Sequence, residues 1–247
     1  MNEKKRWLIV FLYAVAMAWV ESALVVDLRT LVDRLDPYQP NPLPFLPKLG
    51  EVELVREIAT LIMLFTVGWL AGQTSSKRWG YASLAFGVWD IFYYAFLKII
   101  VGWPHALWDW DILFLLPLPW WGPVLAPMLI AVLMMVYGTL ATQFENIQPS
   151  RRAWIFNLSG CVLALLVFMA DALRAVGGGV EAVRQVLPRQ AGFNWPMFII
   201  AFVLMAIPVF ETGNQLLKGR EQFSSKMNFG AKAFFLLIVY KIISRNT

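Results

Sequence analysis

The sequence predicts an all-α integral membrane protein: a polytopic bundle of six transmembrane helices, or of seven, with an interfacial helix near the C-terminus. The first observation is composition, since 59% of the 247 residues are hydrophobic and 15% are charged, with a mean hydropathy of +0.61. A soluble domain usually has about a quarter of its residues charged. The second observation is that apolar runs close to the roughly 20 residues needed to cross a bilayer recur along the chain.

Six apolar runs define the predicted spans. They lie at about 7–26, 54–72, 79–101, 122–141, 153–175 and 195–211. Backbone groups in lipid have no water to bond, which favours helices. The first run follows a basic N-terminus, as in a secretory signal, but it is about twice as long as a signal core and ends with Glu21 and Asp27 in place of a cleavage site. We therefore expect a retained first span within a single transmembrane domain, 1–247.

The last segment, 229–245, is predicted to lie on the membrane surface. Its apolar core, 233–240, is too short to span, and Lys232, Lys241 and Arg245 flank it closely. An interfacial helix is therefore favoured over a seventh span.

Basic residues predict the topology. With the N-terminus in the cytoplasm, thirteen lysines and arginines fall on the cytoplasmic side: Lys4, Lys5, Arg6, Lys77, Arg78, Arg151, Arg152, Lys218, Arg220, Lys226, Lys232, Lys241 and Arg245. The other side has eight: Arg29, Arg34, Lys48, Arg56, Lys98, Arg174, Arg184 and Arg189. This bias predicts a multi-pass protein of the cell inner (cytoplasmic) membrane with both termini cytoplasmic. It also explains the net charge of +5 without nucleic acid as a partner.

Charged residues inside the predicted spans are the first candidate site. They lie in the middle or outer half of the membrane under this topology: Glu21, Arg56, Glu57, Asp90, Asp171 and Arg174. Such groups are costly in lipid, so they indicate either ion pairs that lock helices together or a polar pocket in which Glu57 or Asp90 exchanges a proton. When Asp27, Arg29 and Lys98 are included, five acids stand against four bases in this layer, and this near balance favours the ion pairs.

The stretch 103–123, WPHALWDWDILFLLPLPWWGP, is the second candidate. It contains five tryptophans, four prolines and the only histidine of the chain, between the third and fourth spans. Tryptophan-rich loops suit the membrane interface, so we expect a cap over the charged layer on the outer side. His105, Asp109 and Asp111 are the predicted pocket rim, and a metal site at these three is less expected than an anchor.

Motifs for known chemistry are missing from the sequence. It has no GxSxG, HExxH, Walker or dinucleotide-binding glycine pattern, so no catalytic residue is assigned and no cofactor is encoded by a motif. One histidine cannot provide a bis-histidine haem or a histidine-cluster zinc site, and Cys161 is the only cysteine. The aromatic residues Trp89, Tyr93 and Tyr94 beside Asp90 favour helix packing, but they would also suit a lipid tail, quinone or pigment.

Three classes of function fit these observations. The favoured one is a non-catalytic subunit or scaffold of a larger membrane complex, with membrane lipids and other membrane subunits as partners. The alternative is a small proton-coupled transporter that uses the outer-half carboxylates, although no inverted repeat is evident. The third is an intramembrane lipid-modifying enzyme, which the lack of a nucleophile–base pair disfavours.

Overall fold

The computed structural model describes residues 1–38, 47–144, 148–184 and 192–218. Six long helices form its framework: α1 Glu3–Leu31, α2 Pro47–Ala71, α3 Ser75–Val101, α4 Leu125–Gln143, α5 Arg151–Phe168 and α8 Trp195–Lys218. Shorter elements lie between them: strands β1 Trp110–Ile112 and β2 Trp121–Pro123, helices α6 Ala170–Ala175 and α7 Gly179–Arg184, and a 3₁₀ turn at Val176–Gly178. The predicted interfacial helix, 229–245, lies outside the described residues.

The predicted helical bundle is confirmed in outline. All six long helices are long and apolar enough to cross a membrane. Their ends extend past the apolar runs because helical hydrogen bonding does not stop where hydropathy falls. For example, α1 already begins at Glu3, where the side chain of Asn2 accepts a hydrogen bond from the backbone N–H of Lys5 at 2.9 Å.

The fourth and fifth predicted spans differ further, because part of each is not continuous helix in the structure. The fourth was expected from residue 122, but Trp121–Pro123 is strand β2, which pairs antiparallel with β1, and the helix starts at Leu125. The fifth was expected to run unbroken over 153–175. Instead α5 ends at Phe168, and α6 follows a turn at Met169.

The six long helices form two groups of three. The core of α1, α2 and α3 contains Val10, Leu64 and Val88, whereas the core of α4, α5 and α8 contains Ala164 and Phe198. Helix α3 contacts α1, α2 and α4, so the α3–α4 interface joins the groups.

Glycines determine how closely the backbones of α3 and α4 approach each other. A Cβ atom placed on Gly138 would lie 2.5 Å from the carbonyl oxygen of Gly80, and one on Gly87 would lie 2.4 Å from that of Ala131. Neither distance is sterically allowed. The backbones of α3 and α4 can therefore approach this closely only because glycine, which has no side chain, stands at these positions.

Glu3 organises one end of the bundle, which we call the basic end. Its carboxylate accepts hydrogen bonds from the Tyr81 hydroxyl at 2.7 Å, Arg6 Nη1 at 2.9 Å and Lys77 Nζ at 3.1 Å. These contacts join the start of α1 to the start of α3. The connection between α3 and α4 lies at the opposite end, which we call the loop end.

Candidate functional site

A cavity of 1110 Å³ lies between the two helix groups at the loop end. All six long helices and the connection 111–121 contribute to its wall. Its volume slightly exceeds the roughly 300–1,000 Å³ of most small-molecule sites. The cavity is therefore large enough for a ligand with a substantial hydrocarbon part.

Residues 103–123 form a cap over this cavity. The cap folds back on itself as the β1–β2 hairpin, in which Asp111 is paired with Gly122. Aromatic contacts attach it to the second helix group: the ring centroids of Trp120 and Phe168 are 6.4 Å apart, and those of Trp108 and Trp195 are 5.4 Å apart. The tryptophans of the cap thus pack partly inside the protein.

A buried ion pair attaches the cap to α1. Arg29 Nη2 lies 2.8 Å from Asp111 Oδ1, and the Asp111 residue is only 1% exposed. The Arg29 guanidinium also lies over the ring of Trp103, 4.4 Å from its centroid. Burial raises the pKa of the Asp111 carboxyl above its ordinary value, and the charge of Arg29 opposes that shift.

Glu57 attaches the cap to α2. Its two carboxylate oxygens accept from the backbone N–H of Leu115 at 2.9 and 3.0 Å. Glu57 is 4% exposed, so this contact replaces the hydration that its carboxylate has lost.

Arg56 links α2 to α1 on the cavity wall. Its guanidinium forms ion pairs with Glu21 and with Glu53. Glu21 also accepts a hydrogen bond from the hydroxyl of Thr60 at 3.2 Å. One cation thus neutralises acids of two helices.

Asp90 differs from these acids because it has no such partner. It lies midway along α3 on the cavity wall and is half-buried. No hydrogen bond or ion pair of its side chain is found within the described parts of the chain. A carboxyl group in such a place lacks the compensation that its neighbours have, which leaves it available to a ligand.

Most of the remaining wall is apolar. Around Asp90, Trp89 stacks on Tyr93 with centroids 6.0 Å apart, and Phe114 of the cap lies 6.4 Å from Trp89. The part formed by α4, α5 and α8 is lined by Ile130, Ala131, Met134, Cys161, Ala164, Leu165 and Met205. The cavity is therefore amphipathic, with charge toward α1 and α2 and hydrocarbon toward α5 and α8.

Five of the nine predicted site residues lie on this wall: Glu21, Arg56, Glu57, Asp90 and Asp111. The structure thus brings together acids and bases that are distant in sequence. Which of them act on a ligand stays a prediction.

The other four are placed elsewhere. Asp171 and Arg174 form a pair with each other at 2.7 Å on α6, after the turn at Met169, and neither lines the cavity. His105 is exposed and lies 3.4 Å from Asp36. Asp109 accepts from the backbone N–H groups of His105 and Ala106, so it stabilises the cap locally.

Sequence reasoning did not single out four charged residues of the wall, Arg29, Arg34, Glu51 and Glu53. Glu53 lay just before the predicted second span, yet its spacing of three from Arg56 is a signal for a helical pair. Arg29 was counted only in the charge balance, because its partner Asp111 is 82 residues away and no local pattern connects them. Among the described residues, no group of three or more His, Cys, Asp or Glu side chains is placed to hold a metal ion.

The chain was compared with known proteins after this geometry was established. No protein-family model, no curated protein and no solved structure matches it. The cavity and its wall are therefore the basis for a functional assignment.

Proposed function

We propose that this is a multi-pass protein of the cell inner membrane with the basic end in the cytoplasm. The support is the location of Lys4, Lys5, Lys77 and Arg78, together with Arg151, at one end of six helices that could span a membrane. Cytoplasmic loops carry an excess of lysine and arginine. In this orientation the cap and the cavity lie toward the outer side.

We infer that the protein binds an amphipathic, largely apolar molecule in the cavity. The observation that carries this proposal is the cavity itself, in which Asp90 has no hydrogen-bond or ion-pair partner among the described residues and lies between aromatic and aliphatic walls. Ligand sites are mostly apolar with a few polar groups, and a carboxyl at membrane depth is a frequent mark of function.

Filling the cavity tests this function. Met134→Trp places an indole where Met134 lines the cavity, whereas Val136→Trp, on the same helix, changes a side chain that is 42% exposed and lies outside the lining. We expect wild-type protein and the Val136 variant to co-purify with a small amphipathic molecule in mild detergent, as seen by native mass spectrometry. The Met134 variant should lose it. An empty wild-type cavity, or equal retention by both variants, would count against ligand binding.

Asp90 favours proton-coupled transport as a second function. A carboxyl group without a protein partner can take up or release a proton as a ligand arrives or leaves. In proteoliposomes, Asp90→Asn should abolish proton movement driven by the co-purified molecule, and Asp171→Asn should not. Equal proton movement in wild type and Asp90→Asn would exclude this role.

The complex subunit favoured by the sequence stays a prediction. Exposed apolar side chains such as Leu70, Ile99 and Phe210 suit other subunits, but lipid tails suit them equally. Stoichiometric membrane partners after purification from the native membrane would support it. The lipid-modifying enzyme also stays a prediction. Asp90, on the cavity wall, would be its candidate general acid.

A further inference from the structure

We propose that the cavity selects a ligand with a non-anionic head group that donates a hydrogen bond to Asp90, while its hydrocarbon chain lies along α4, α5 and α8. This rests on the proposed binding of an amphipathic molecule and specifies its chemical class. A hydroxyl and an ammonium group share the required chemistry.

The charges of the wall disfavour an anionic head group. Among the described residues, six acids line the cavity, Glu21, Glu51, Glu53, Glu57, Asp90 and Asp111, against three bases, Arg29, Arg34 and Arg56. A phosphate or carboxylate entering this space would face more carboxyl groups than guanidinium groups, and each ionised carboxylate would repel it in a medium that screens charge poorly.

The arginines of the wall are already engaged. Arg29 pairs with Asp111 and covers Trp103, and Arg56 pairs with Glu21 and Glu53. Arg34 also has an interaction partner. Arg29 Nη1 and Arg56 Nη1 are buried without a hydrogen-bond partner among the described residues. Each of these two guanidiniums nevertheless balances a carboxylate, so an anion that drew one away would leave that carboxylate with the full cost of desolvation.

Asp90 supplies the complementary acceptor. Its carboxyl oxygens have no donor among the described residues, and Trp89, Tyr93 and Phe114 line the same cavity. A ligand O–H or N–H would satisfy this acceptor, and a hydrogen bond to a charged group is stronger than one between neutral groups.

Cys161 provides a reporter for the chain of the ligand. It is the only cysteine of the protein, and it lies on the wall formed by α5, opposite the group of helices that carries the acids. A hydrocarbon chain directed away from Asp90 would cover the Cys161 thiol and slow its reaction with a maleimide.

The experiment compares four probes of equal chain length on the full-length protein in mild detergent. These are hexadecanol, hexadecylamine, palmitate and hexadecyl phosphate. At a concentration of about ten times the dissociation constant, a bound probe should slow Cys161 alkylation about tenfold by mass action. We expect this from the alcohol, the amine or both, and little effect from the two anions. Thermal stabilisation by the same probes is the second readout.

Variants at Asp90 identify the head-group contact. Asp90→Ala should remove protection by every probe, whereas Asp90→Asn, which keeps an acceptor of the same shape, should retain part of the protection by the alcohol and lose that by the amine. Asp171→Ala is the control, because Asp171 lies outside the cavity wall. Comparing the alcohol with the amine then shows whether the natural head group is neutral or cationic.

The outcomes separate the two proposals. Protection by palmitate or hexadecyl phosphate equal to that by the alcohol and amine would overturn the head-group inference and leave ligand binding intact. Full protection in Asp90→Ala would overturn the role of Asp90. If no probe protects Cys161 or stabilises the protein, and the wild type also co-purifies with no molecule, ligand binding itself fails.

Discussion

Two ion pairs of the same residue types, Arg and Asp, occur in different surroundings in this protein. Arg29 and Asp111 are both under a tenth exposed, whereas the Arg174 side chain of the α6 pair is 56% exposed. Desolvation makes the loss of one partner costly in the first pair, but solvent screens the second. The stability that an ion pair contributes therefore depends on how deeply its two side chains are buried, and two pairs of the predicted charged layer can differ widely in this respect.

Asp111→Ala should destabilise the protein by about 3–5 kcal/mol, because it leaves Arg29 as an unpaired buried charge. Asp171→Ala should cost at most about 1 kcal/mol, since its partner Arg174 is 56% exposed and solvent screens the pair. The free energy of unfolding in mixed micelles, followed by circular dichroism, measures both. Similar losses in the two variants would show that burial does not set the strength of the Arg29–Asp111 contact.

The candidate site was partly predictable at the level of single residues. Glu21, Arg56, Glu57 and Asp90 could be identified because any charge within an apolar run is unusual. Their partners could not be identified, since a hydrogen bond such as that from Leu115 N–H to Glu57 joins residues 58 apart in sequence. Only the folded chain shows that Asp90, unlike Glu57, has no partner among the described residues.

Among the elements, the long helices were the most predictable part. Apolar runs locate α1 to α5 and α8 because a bilayer requires that length of apolar helix. The β1–β2 hairpin was missed, since each strand has three residues and Trp121–Pro123 continues into the apolar start of α4. Whether such short strands pair depends on how the cap packs against the helices. That packing leaves no periodic pattern in the sequence.

Glu57→Leu should loosen the cap as a unit. The backbone N–H of Leu115 would lose its carboxylate acceptor, a contact worth about 1.5–3 kcal/mol for a charged group. Hydrogen exchange in residues 111–121, measured by mass spectrometry, should then quicken about tenfold or more. Glu51→Leu, at an exposed position of the same helix, should leave exchange of the cap unchanged. Equal protection in both variants would mean that other contacts hold the cap.

The α3–α4 interface should be sensitive to a single methyl group. Gly138→Ala would place a Cβ atom 2.5 Å from the Gly80 carbonyl oxygen, so the helices must separate, at a cost of about 1–3 kcal/mol. Gly177→Ala is the matched control because nothing lies within 4 Å of the added atom. Thermal unfolding in detergent should show a lower Tm for the first variant alone. An unchanged Tm for Gly138→Ala would show that the two helices can separate enough to fit the methyl group without loss of stability.

For the whole molecule, the position of the basic end predicts the topology. A reporter at the N-terminus should be active as a cytoplasmic fusion, and one inserted beside His105 in the cap should be active outside. A C-terminal reporter tests the predicted interfacial segment 229–245. Cytoplasmic activity there agrees with a surface helix, whereas outside activity would show that the segment crosses the membrane as a seventh span.

The ion pair between Glu21 and Arg56 has a consequence for biogenesis. It joins α1 to α2, which are consecutive along the chain, so the two charges can meet before α3 is made. A lone arginine entering the bilayer centre costs about 2.5–3.5 kcal/mol on insertion scales. We expect α1 and α2 to enter the membrane together as a hairpin held by this ion pair, which would fix the orientation of both helices before α3 is inserted.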